Sequence, residues 1–284
     1  MGLNRDLIGK QYPPQDYGVT VEATTKYARA YNEDNPWFLD MDRPGGIIAP
    51  PMFGVMMSWL PIMMVMTDGE LGVDLLRLLH GGQDMYFYLP VVPGNIVTST
   101  ARIVAIEEKA AGESLTVEAQ SANQRGEPVQ RMLFTALIRR KSTRDGRRQH
   151  PVEEPPAGEP LLRVRQMIDA DQTYRYAEAS GDRNPIHVDE NVARMAGLPG
   201  IIVHGLCTMA FISKVMIDHL CDHDPRRLRR LRAHFSWPVF PGQAITTAVW
   251  PRPDYESLKV YTYETYNPAG KAVVKEGIVE IAAS

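Results

Sequence analysis

The segment Gly200-Ile201-Ile202-Val203-His204, which leads into an apolar run at residues 205–220, decides the architecture of this chain. The same pattern occurs earlier, where Gly46-Ile47-Ile48-Ala49-Pro50 leads into the apolar run at residues 51–66. Each run is long enough for a buried helix and is followed by strand-like segments that are separated by turn residues. A long apolar helix followed by an antiparallel meander predicts an α+β unit in which a sheet wraps around the helix.

Two further blocks repeat in the same order along the chain. Residues 27–40 match residues 176–189, and Pro90-Val91-Val92-Pro93-Gly94 matches Pro238-Val239-Phe240-Pro241-Gly242. Three ordered blocks with nearly constant spacing indicate an internal duplication. We therefore predict two copies of the same unit, arranged as a pseudo-dimer whose two sheets continue across the duplication axis.

A polar stretch without apolar periodicity lies between the two copies, at residues 141–160. Such a composition is typical of a linker. We predict a first domain at residues 1–140, a linker at residues 141–160 and a second domain at residues 161–284.

The composition is that of a soluble globular protein, with 44% hydrophobic and 23% charged residues. A net charge of -3 offers no global attraction for nucleic acid or for an acidic membrane, so neither is an expected partner. The polar start lacks the apolar core of a signal peptide, and the two cysteines, Cys207 and Cys221, lie in an apolar helical pattern that favours buried free thiols. These features predict a cytoplasmic protein.

The second copy contains a short polar loop that carries chemistry. Asp182, Asn184 and His187 follow the predicted helix end at Gly181 within six residues. A carboxylate and an imidazole supply the two proton-transfer groups that hydration of a double bond needs, and an amide can orient either of them. Gly205 begins the second long helix, where free N–H groups and the lack of a side chain allow an oxyanion hole.

The motif Ser180-Gly181-Asp182-Arg183-Asn184-Pro185-Ile186-His187, followed by His204-Gly205-Leu206, resembles the signature of the MaoC-like, (R)-specific enoyl-CoA hydratases of hydratase 2 type. The first copy is similar to the degenerate N-terminal dehydratase domain of double-length members. Together the resemblance covers almost the whole chain. It implies a double hotdog fold and a hydro-lyase that hydrates a trans-2-enoyl thioester to an (R)-3-hydroxyacyl thioester.

The resemblance also implies the roles of individual residues. Asp182 and His187 would hold the catalytic water, Asn184 would support them, and the amide of Gly205 would bind the thioester carbonyl. No cofactor is expected, because CoA or phosphopantetheine is part of the substrate. A homodimer is expected from the family and from the unpaired sheet edges.

The two copies differ at the positions that carry the chemistry. The first copy has Glu33 in place of Asp182, Phe38 in place of His187, and Pro50-Pro51 in place of His204-Gly205. Proline has no N–H to donate, so the first copy also lacks the candidate oxyanion donor. We predict one catalytic site per chain.

Five further residues are candidates for substrate binding: Ser180, Gly181, His204, Arg229 and Arg230. His204 either faces the site or forms a hydrogen bond inside its own loop. The basic run at residues 226–232 either meets the phosphates of CoA or of an acyl carrier, or forms a solvated strand edge whose leucines point inward. No metal is expected, because His219 and His223 have zinc-like spacing without a third soft ligand.

Two other functions fit the same residues. A thioesterase would direct the water to the carbonyl carbon instead of C3, and a non-catalytic subunit would only bind an acyl thioester. The intact Asp182, Asn184 and His187 favour catalysis. The length of the acyl chain, and the choice between CoA and an acyl carrier, stay open at this point.

Overall fold

The computed structural model describes residues 2–140 and 158–283, and within them the strands form one ten-stranded sheet. All neighbouring strands are antiparallel, in the order β1-β3-β4-β5-β2-β7-β10-β9-β8-β6. The strands are β1 (Gln15–Gly18), β2 (Leu78–Phe87), β3 (Ile96–Lys109), β4 (Gly112–Asn123), β5 (Pro128–Arg139), β6 (Leu162–Met167), β7 (Leu228–Phe235), β8 (Ala244–Pro251), β9 (Leu258–Tyr266) and β10 (Ala272–Ala282).

Two long helices lie against this sheet and form the core with it. The helices are α1 (Val21–Arg29), α2 (Pro36–Leu39), α3 (Gly54–Met66), α4 (Gln172–Ser180), α5 (Glu190–Met195) and α6 (Gly205–Leu220). Helices α3 and α6 are apolar around most of their circumference, as expected for helices that the sheet encloses. The predicted α+β architecture is confirmed.

The sheet order shows the internal duplication directly. The five strands of the first copy, β1-β3-β4-β5-β2, are mirrored by β6-β8-β9-β10-β7, and the two sets join where β2 pairs with β7. The hydroxyls of Tyr27 and Tyr176, which occupy equivalent positions in the two repeats, lie 3.0 Å apart. The duplication axis therefore passes between these two tyrosines, and the predicted continuation of the sheet across the axis is confirmed.

The basic run at residues 226–232 forms part of this junction. Leu228 and Leu231 of β7 are buried, so the leucines point inward as expected, but β7 lies inside the sheet between β2 and β10 and not at its edge. Arg230 donates to Asp84 of β2 at 2.8 and 2.9 Å and to Glu280 of β10 at 2.7 Å. Removing one partner of a desolvated ion pair costs about 3–5 kcal/mol. Arg230 therefore links the two copies through Asp84, and its guanidinium is paired with two carboxylates, which favours the structural alternative over phosphate binding for this residue.

Other sequence predictions differ from the structure in detail. The first long helix, α3, continues through Pro61. The predicted linker lies outside the described residues up to residue 157, so the domain boundaries stay a prediction. Cys207 and Cys221 are free and buried, as predicted. Among residues 2–140 and 158–283, no helix combines the length and the apolar character needed to cross a bilayer.

Candidate active site

The catalytic loop predicted from the sequence is held by local backbone hydrogen bonds. Helix α4 ends at Gly181, whose φ of 74° is the left-handed conformation that glycine adopts easily. The N–H of Asp182 donates to Ser180 Oγ at 3.2 Å, and the N–H of Asn184 donates to Asp182 Oδ1 at 3.1 Å. Ser180 and Gly181 therefore fix the turn that presents the Asp182 carboxylate, whereas their predicted contact with substrate stays a prediction.

Asn184 stabilises the backbone of this loop with its side chain. Its side-chain oxygen accepts a hydrogen bond from the N–H of Ile186 at 3.3 Å and so starts the 3-10 turn Pro185–His187. Asn35 caps the equivalent turn of the first copy by accepting from the N–H of Trp37. The structure thus shows Asn184 supporting the loop that carries His187, and its predicted part in the reaction stays untested.

The hydrogen bond between His187 and the Ile202 carbonyl shows which ring nitrogen of His187 carries the proton. Its Nδ1 lies 2.8 Å from the carbonyl oxygen of Ile202, which can only accept, so Nδ1 carries the proton. Nε2 is then an unprotonated base. Burial lowers the pKa of His187 below 6.5, an effect that the nearby Asp182 carboxylate partly offsets. The imidazole is therefore neutral at neutral pH and can accept a proton from water.

His204 contacts both Asp182 and His187. Its Nε2 donates to the backbone carbonyl of Asp182 at 3.0 Å, and its ring stacks on that of His187 with centroids 3.8 Å apart. Its Nδ1 is buried and has no hydrogen-bond partner. Burial and the neighbouring His187 lower the pKa of His204 to about 4. His204 therefore lies beside Asp182 and His187, and its hydrogen bond runs to the neighbouring Asp182 loop instead of within its own loop.

Asp182, His187 and His204 form a compact cluster, with one candidate ligand atom of each within 4.8 Å of the others. The two rings lie nearly parallel, with 27° between their planes. Each imidazole uses one ring nitrogen on a backbone carbonyl oxygen, His187 on Ile202 and His204 on Asp182, so each ring has one further nitrogen that is not engaged in this way.

Gly205 is the first residue of α6, directly after His204. The N–H groups in the first turn of a helix have no partner within the helix and point towards an incoming oxygen. A Cβ at this position would lie 3.2 to 3.3 Å from three ring atoms of Phe235. A side chain at this position would therefore press on the ring of Phe235 on β7, which would have to shift by a few tenths of an ångström.

The first copy contributes a residue that the sequence did not reveal. His80 on β2 interacts electrostatically with Asp182, and its ring packs between Phe134 and Phe235 at 4.3 and 4.9 Å. Burial lowers the pKa of His80 to about 4, so it is neutral. No local pattern in the sequence marks His80, because only the folded junction of β2 and β7 brings it near the second copy.

In the first copy, the residues equivalent to Asp182 and His187 are Glu33 and Phe38, and both make structural contacts. Phe38 is completely buried where the second copy has His187. Glu33 accepts hydrogen bonds from the N–H groups of Asp34 and Asn35 and from Lys214 of α6. A carboxylate held by a lysine at 3.2 Å is not free to activate water. The geometry agrees with a single catalytic site in the described part of the chain.

Each half of the chain matches a described protein family. Residues 151–269 match the MaoC like domain. Residues 6–132 match the FAS1-like, dehydratase domain region. The half that carries Asp182, His187 and Gly205 is therefore the half that matches the MaoC like domain.

Similar proteins agree with this assignment over most of the chain. A Dictyostelium discoideum protein described as a probable enoyl-CoA hydratase 2 is 30% identical over 208 residues, which cover 71% of this chain and 71% of that protein. The crystal structure of a MaoC-like dehydratase from Phytophthora Capsici has a TM-score of 0.82 at 22% identity and covers 99% of this chain and 98% of its own. A Mycobacterium tuberculosis protein described as a double hotdog fold has a TM-score of 0.62 at 9% identity, covering 97% and 96%.

The two linked helix-and-sheet units are thus a double hotdog, the fold that the sequence predicted. The chain belongs to the MaoC-like dehydratase family that includes enoyl-CoA hydratase 2.

A pair of His204 variants should separate its two contacts. His204→Phe keeps the ring that stacks on His187 but loses the donor to the Asp182 carbonyl, whereas His204→Gln keeps a donor and loses the ring. We expect kcat to fall about 10-fold in His204→Phe with little change in KM, since a misplaced carboxylate weakens catalysis more than binding. Steady-state hydration kinetics measure both constants. Unchanged kcat in His204→Phe would show that this hydrogen bond does not position Asp182.

The buried neutral histidines also predict a dependence of stability on pH. The pKa of His204 is lowered from 6.5 to about 4, so the unfolded chain binds a proton more readily than the folded chain in that window. The free energy of unfolding is therefore highest above about pH 6.5, where His204 is mostly neutral in both states, and it decreases as the pH falls towards 4. Between pH 7 and pH 5 this histidine alone should remove about 2 kcal/mol from the free energy of unfolding. Urea unfolding at both pH values measures the loss, which should shrink in His204→Gln.

Proposed function

We propose that this protein is a hydro-lyase that reversibly hydrates a trans-2-enoyl thioester to an (R)-3-hydroxyacyl thioester. The observation that carries the proposal is the cluster of Asp182, His187 and His204 within 4.8 Å, beside the amide of Gly205. The relationship to a protein described as a probable enoyl-CoA hydratase 2 supports the same chemistry. Asp182 and His187 act as the proton-transfer pair, and the Gly205 amide acts as the oxyanion donor.

The reaction starts from water held between the Asp182 carboxylate and Nε2 of His187. Because Nδ1 of His187 carries its proton towards the Ile202 carbonyl, Nε2 is the atom that removes a proton from the water. The water oxygen forms a bond to C3, and the electron pair of the C2–C3 double bond moves towards the thioester. The imidazolium that forms at His187 is stabilised by the negative charge of Asp182.

The thioester oxygen carries the negative charge of the resulting enolate. The Gly205 N–H donates a hydrogen bond to this oxygen at the start of α6, where the helix dipole also stabilises the negative charge. The enolate then takes a proton at C2 from the protonated member of the pair, which restores the starting state. Because one cluster supplies both the water that adds at C3 and the proton that adds at C2, both groups add to the same face of the double bond.

An acyl thioester of CoA or of an acyl carrier is the substrate class. In the cell we further propose that the protein is cytoplasmic and forms a homodimer. The sheet ends at the short strands β1 and β6, which offer unpaired edges for such an assembly. Sedimentation of the purified protein tests the dimer.

The proposed reaction and the thioesterase alternative are separated by one assay on crotonyl-CoA. Hydration removes the absorbance of the conjugated enoyl thioester without releasing free thiol, whereas hydrolysis releases thiol. We expect loss of enoyl absorbance, no thiol release, and 3-hydroxybutyryl-CoA of R configuration by chiral chromatography. Thiol release at the rate of substrate loss would overturn the proposal.

A further inference from the structure

The imidazole of His80 lies next to the active site but has no part in the proposed reaction. Its Nε2 lies 3.1 Å from the carbonyl oxygen of Gly82, which can only accept, so Nε2 carries the proton and donates. The same nitrogen lies 3.2 Å from Oε1 of Gln83, a side chain that is buried. The position of the His80 ring is therefore fixed by residues of its own strand.

The ring of His80 packs on Phe235 of the second copy. The two ring centroids lie 4.9 Å apart with 62° between the planes, and Phe134 packs on His80 with centroids 4.3 Å apart. Phe235 in turn lies against the start of α6, because three of its ring atoms are 3.2 to 3.3 Å from the point where a Cβ of Gly205 would be. A chain of contacts thus runs from the backbone of β2 to the residue that carries the proposed oxyanion donor.

The internal duplication identifies the counterpart of His80 in the second copy. Each repeat has an irregular strand pairing at the same place, between His80 and Gly82 in the first copy and opposite Leu228 and Arg230 in the second. The spacing of the repeated proline-glycine blocks also relates His80 to Leu228. The two copies therefore place an imidazole and a leucine at equivalent positions of β2 and β7.

The exchange of imidazole for leucine follows the loss of the other reactive groups. Leu228 is buried and lies beside Pro51 and Phe87. Pro51 is the counterpart of Gly205 and has no N–H to donate. A residue needed only to join the two copies could be the same on both strands. The imidazole of His80 instead occurs on the strand whose ring contact leads to the intact oxyanion donor.

We propose that His80 is a positioning residue that the first copy supplies to the active site. Through the ring of Phe235 it holds the amide of Gly205 at the place where the thioester oxygen gains negative charge. The inference rests on the proposed function, since this amide is the oxyanion donor of that reaction. Because burial lowers the pKa of His80 to about 4, the ring is neutral and leaves the charge of Asp182 available to His187.

The kinetics of crotonyl-CoA hydration test the role of the His80 ring. His80→Leu introduces the residue of the other copy and removes both the ring and its hydrogen bond, whereas His80→Phe keeps a ring against Phe235. We expect kcat to fall about fivefold in His80→Leu with KM within about twofold, because a displaced donor weakens the transition state more than substrate binding. His80→Phe should stay close to the wild type in both constants.

Two controls separate this effect from a damaged fold. Leu79 is the neighbour of His80 on β2 and is 38% exposed, so Leu79→Ala should leave both constants unchanged. Urea unfolding of every variant detects a loss of stability. If His80→Leu is unfolded, His80→Gln takes its place, because it keeps a donor for the Gly82 carbonyl and lacks the ring.

A double variant tests whether His80 acts through Phe235. His80→Leu and Phe235→Leu break the same chain of contacts, so the double variant should be no slower than the slower single variant. Losses that multiply in the double variant would overturn the proposal. A wild-type kcat in His80→Leu would overturn it as well.

Binding of acetoacetyl-CoA separates positioning of the amide from a purely structural role and needs no turnover. The enolate of this thioester carries negative charge on its oxygens and absorbs in the near ultraviolet, so its binding can be titrated, whereas butyryl-CoA lacks the charge. We expect His80→Leu to weaken binding of the enolate about fivefold and binding of butyryl-CoA less than about twofold. Equal weakening of both ligands would refute the positioning role. If the wild type does not hydrate crotonyl-CoA, the proposed function is wrong, and the enolate titration still decides the role of His80.

Discussion

Asp182→Asn and His187→Gln should each slow hydration of crotonyl-CoA by about 100- to 10,000-fold. Both substitutions keep the size of the side chain and remove its ability to exchange a proton, a loss that typically costs this factor. Binding of the saturated analogue butyryl-CoA should survive, because the Gly205 amide is unchanged. Steady-state rates and isothermal titration with the analogue measure the two effects separately.

The first copy provides a matched control for this pair. Glu33 occupies the position equivalent to Asp182 but is bound by Lys214. Glu33→Gln should therefore weaken the contact between the copies and leave the hydration rate within about twofold of the wild type. A rate in Asp182→Asn close to that of the wild type, or an equal loss in Glu33→Gln, would contradict the assignment of catalysis to the second copy.

Gly205→Ala should lower kcat by about 10- to 100-fold. The added Cβ would meet the ring of Phe235 at 3.2 Å, closer than carbon atoms normally approach, so the helix start or the ring must move. A shift of the amide weakens its bond to the enolate oxygen, and the complete loss of such a donor costs about 100-fold or more. The kcat for crotonyl-CoA is the quantity to measure.

A second substitution tests whether the contact with Phe235 is the cause. Phe235→Leu removes the ring atoms that the new methyl group would meet, so the double variant should recover most of the lost rate. The single variant Phe235→Leu is the control, because this substitution also changes the packing of His80 on the same ring. If the double variant is no faster than Gly205→Ala, steric displacement of the amide is excluded as the cause.

The sequence predicted the elements that carry a strong apolar pattern. Helix α6 was expected at residues 205–220 and occupies Gly205–Leu220, because an apolar run there follows a glycine at the helix start. Strands β1 and β6 contain no buried residue, and alternation of polar residues gives little signal in the sequence. The start of β2 at Leu78 is equally hard to predict, because His80, Gly81 and Gly82 lack the usual strand composition.

The candidate site was predictable to the extent that its residues are close in the sequence. Asp182 and His187 share one loop, and the loop and the start of α6 come together through contacts such as the bond from the His187 ring to Ile202. His80 could not be found this way, because its position depends on the register between β2 and β7. The roles of the individual arginines depended equally on partners that only the folded chain brings near, as Asp84 and Glu280 do for Arg230.

The joint between β2 and β7 has a consequence for any attempt to cut the chain in two. In a fragment of residues 161–284, the edge of β7 that pairs with β2 in the intact chain would be exposed. Lys214 would also lack its partner Glu33. Because β7 and β2 are repeat counterparts, that bared edge is complementary to a second copy of itself. We expect this fragment to self-associate edge to edge into a twofold assembly with two copies of the Asp182, His187 and His204 cluster, whereas residues 2–140 and 158–283 of the intact chain contain one.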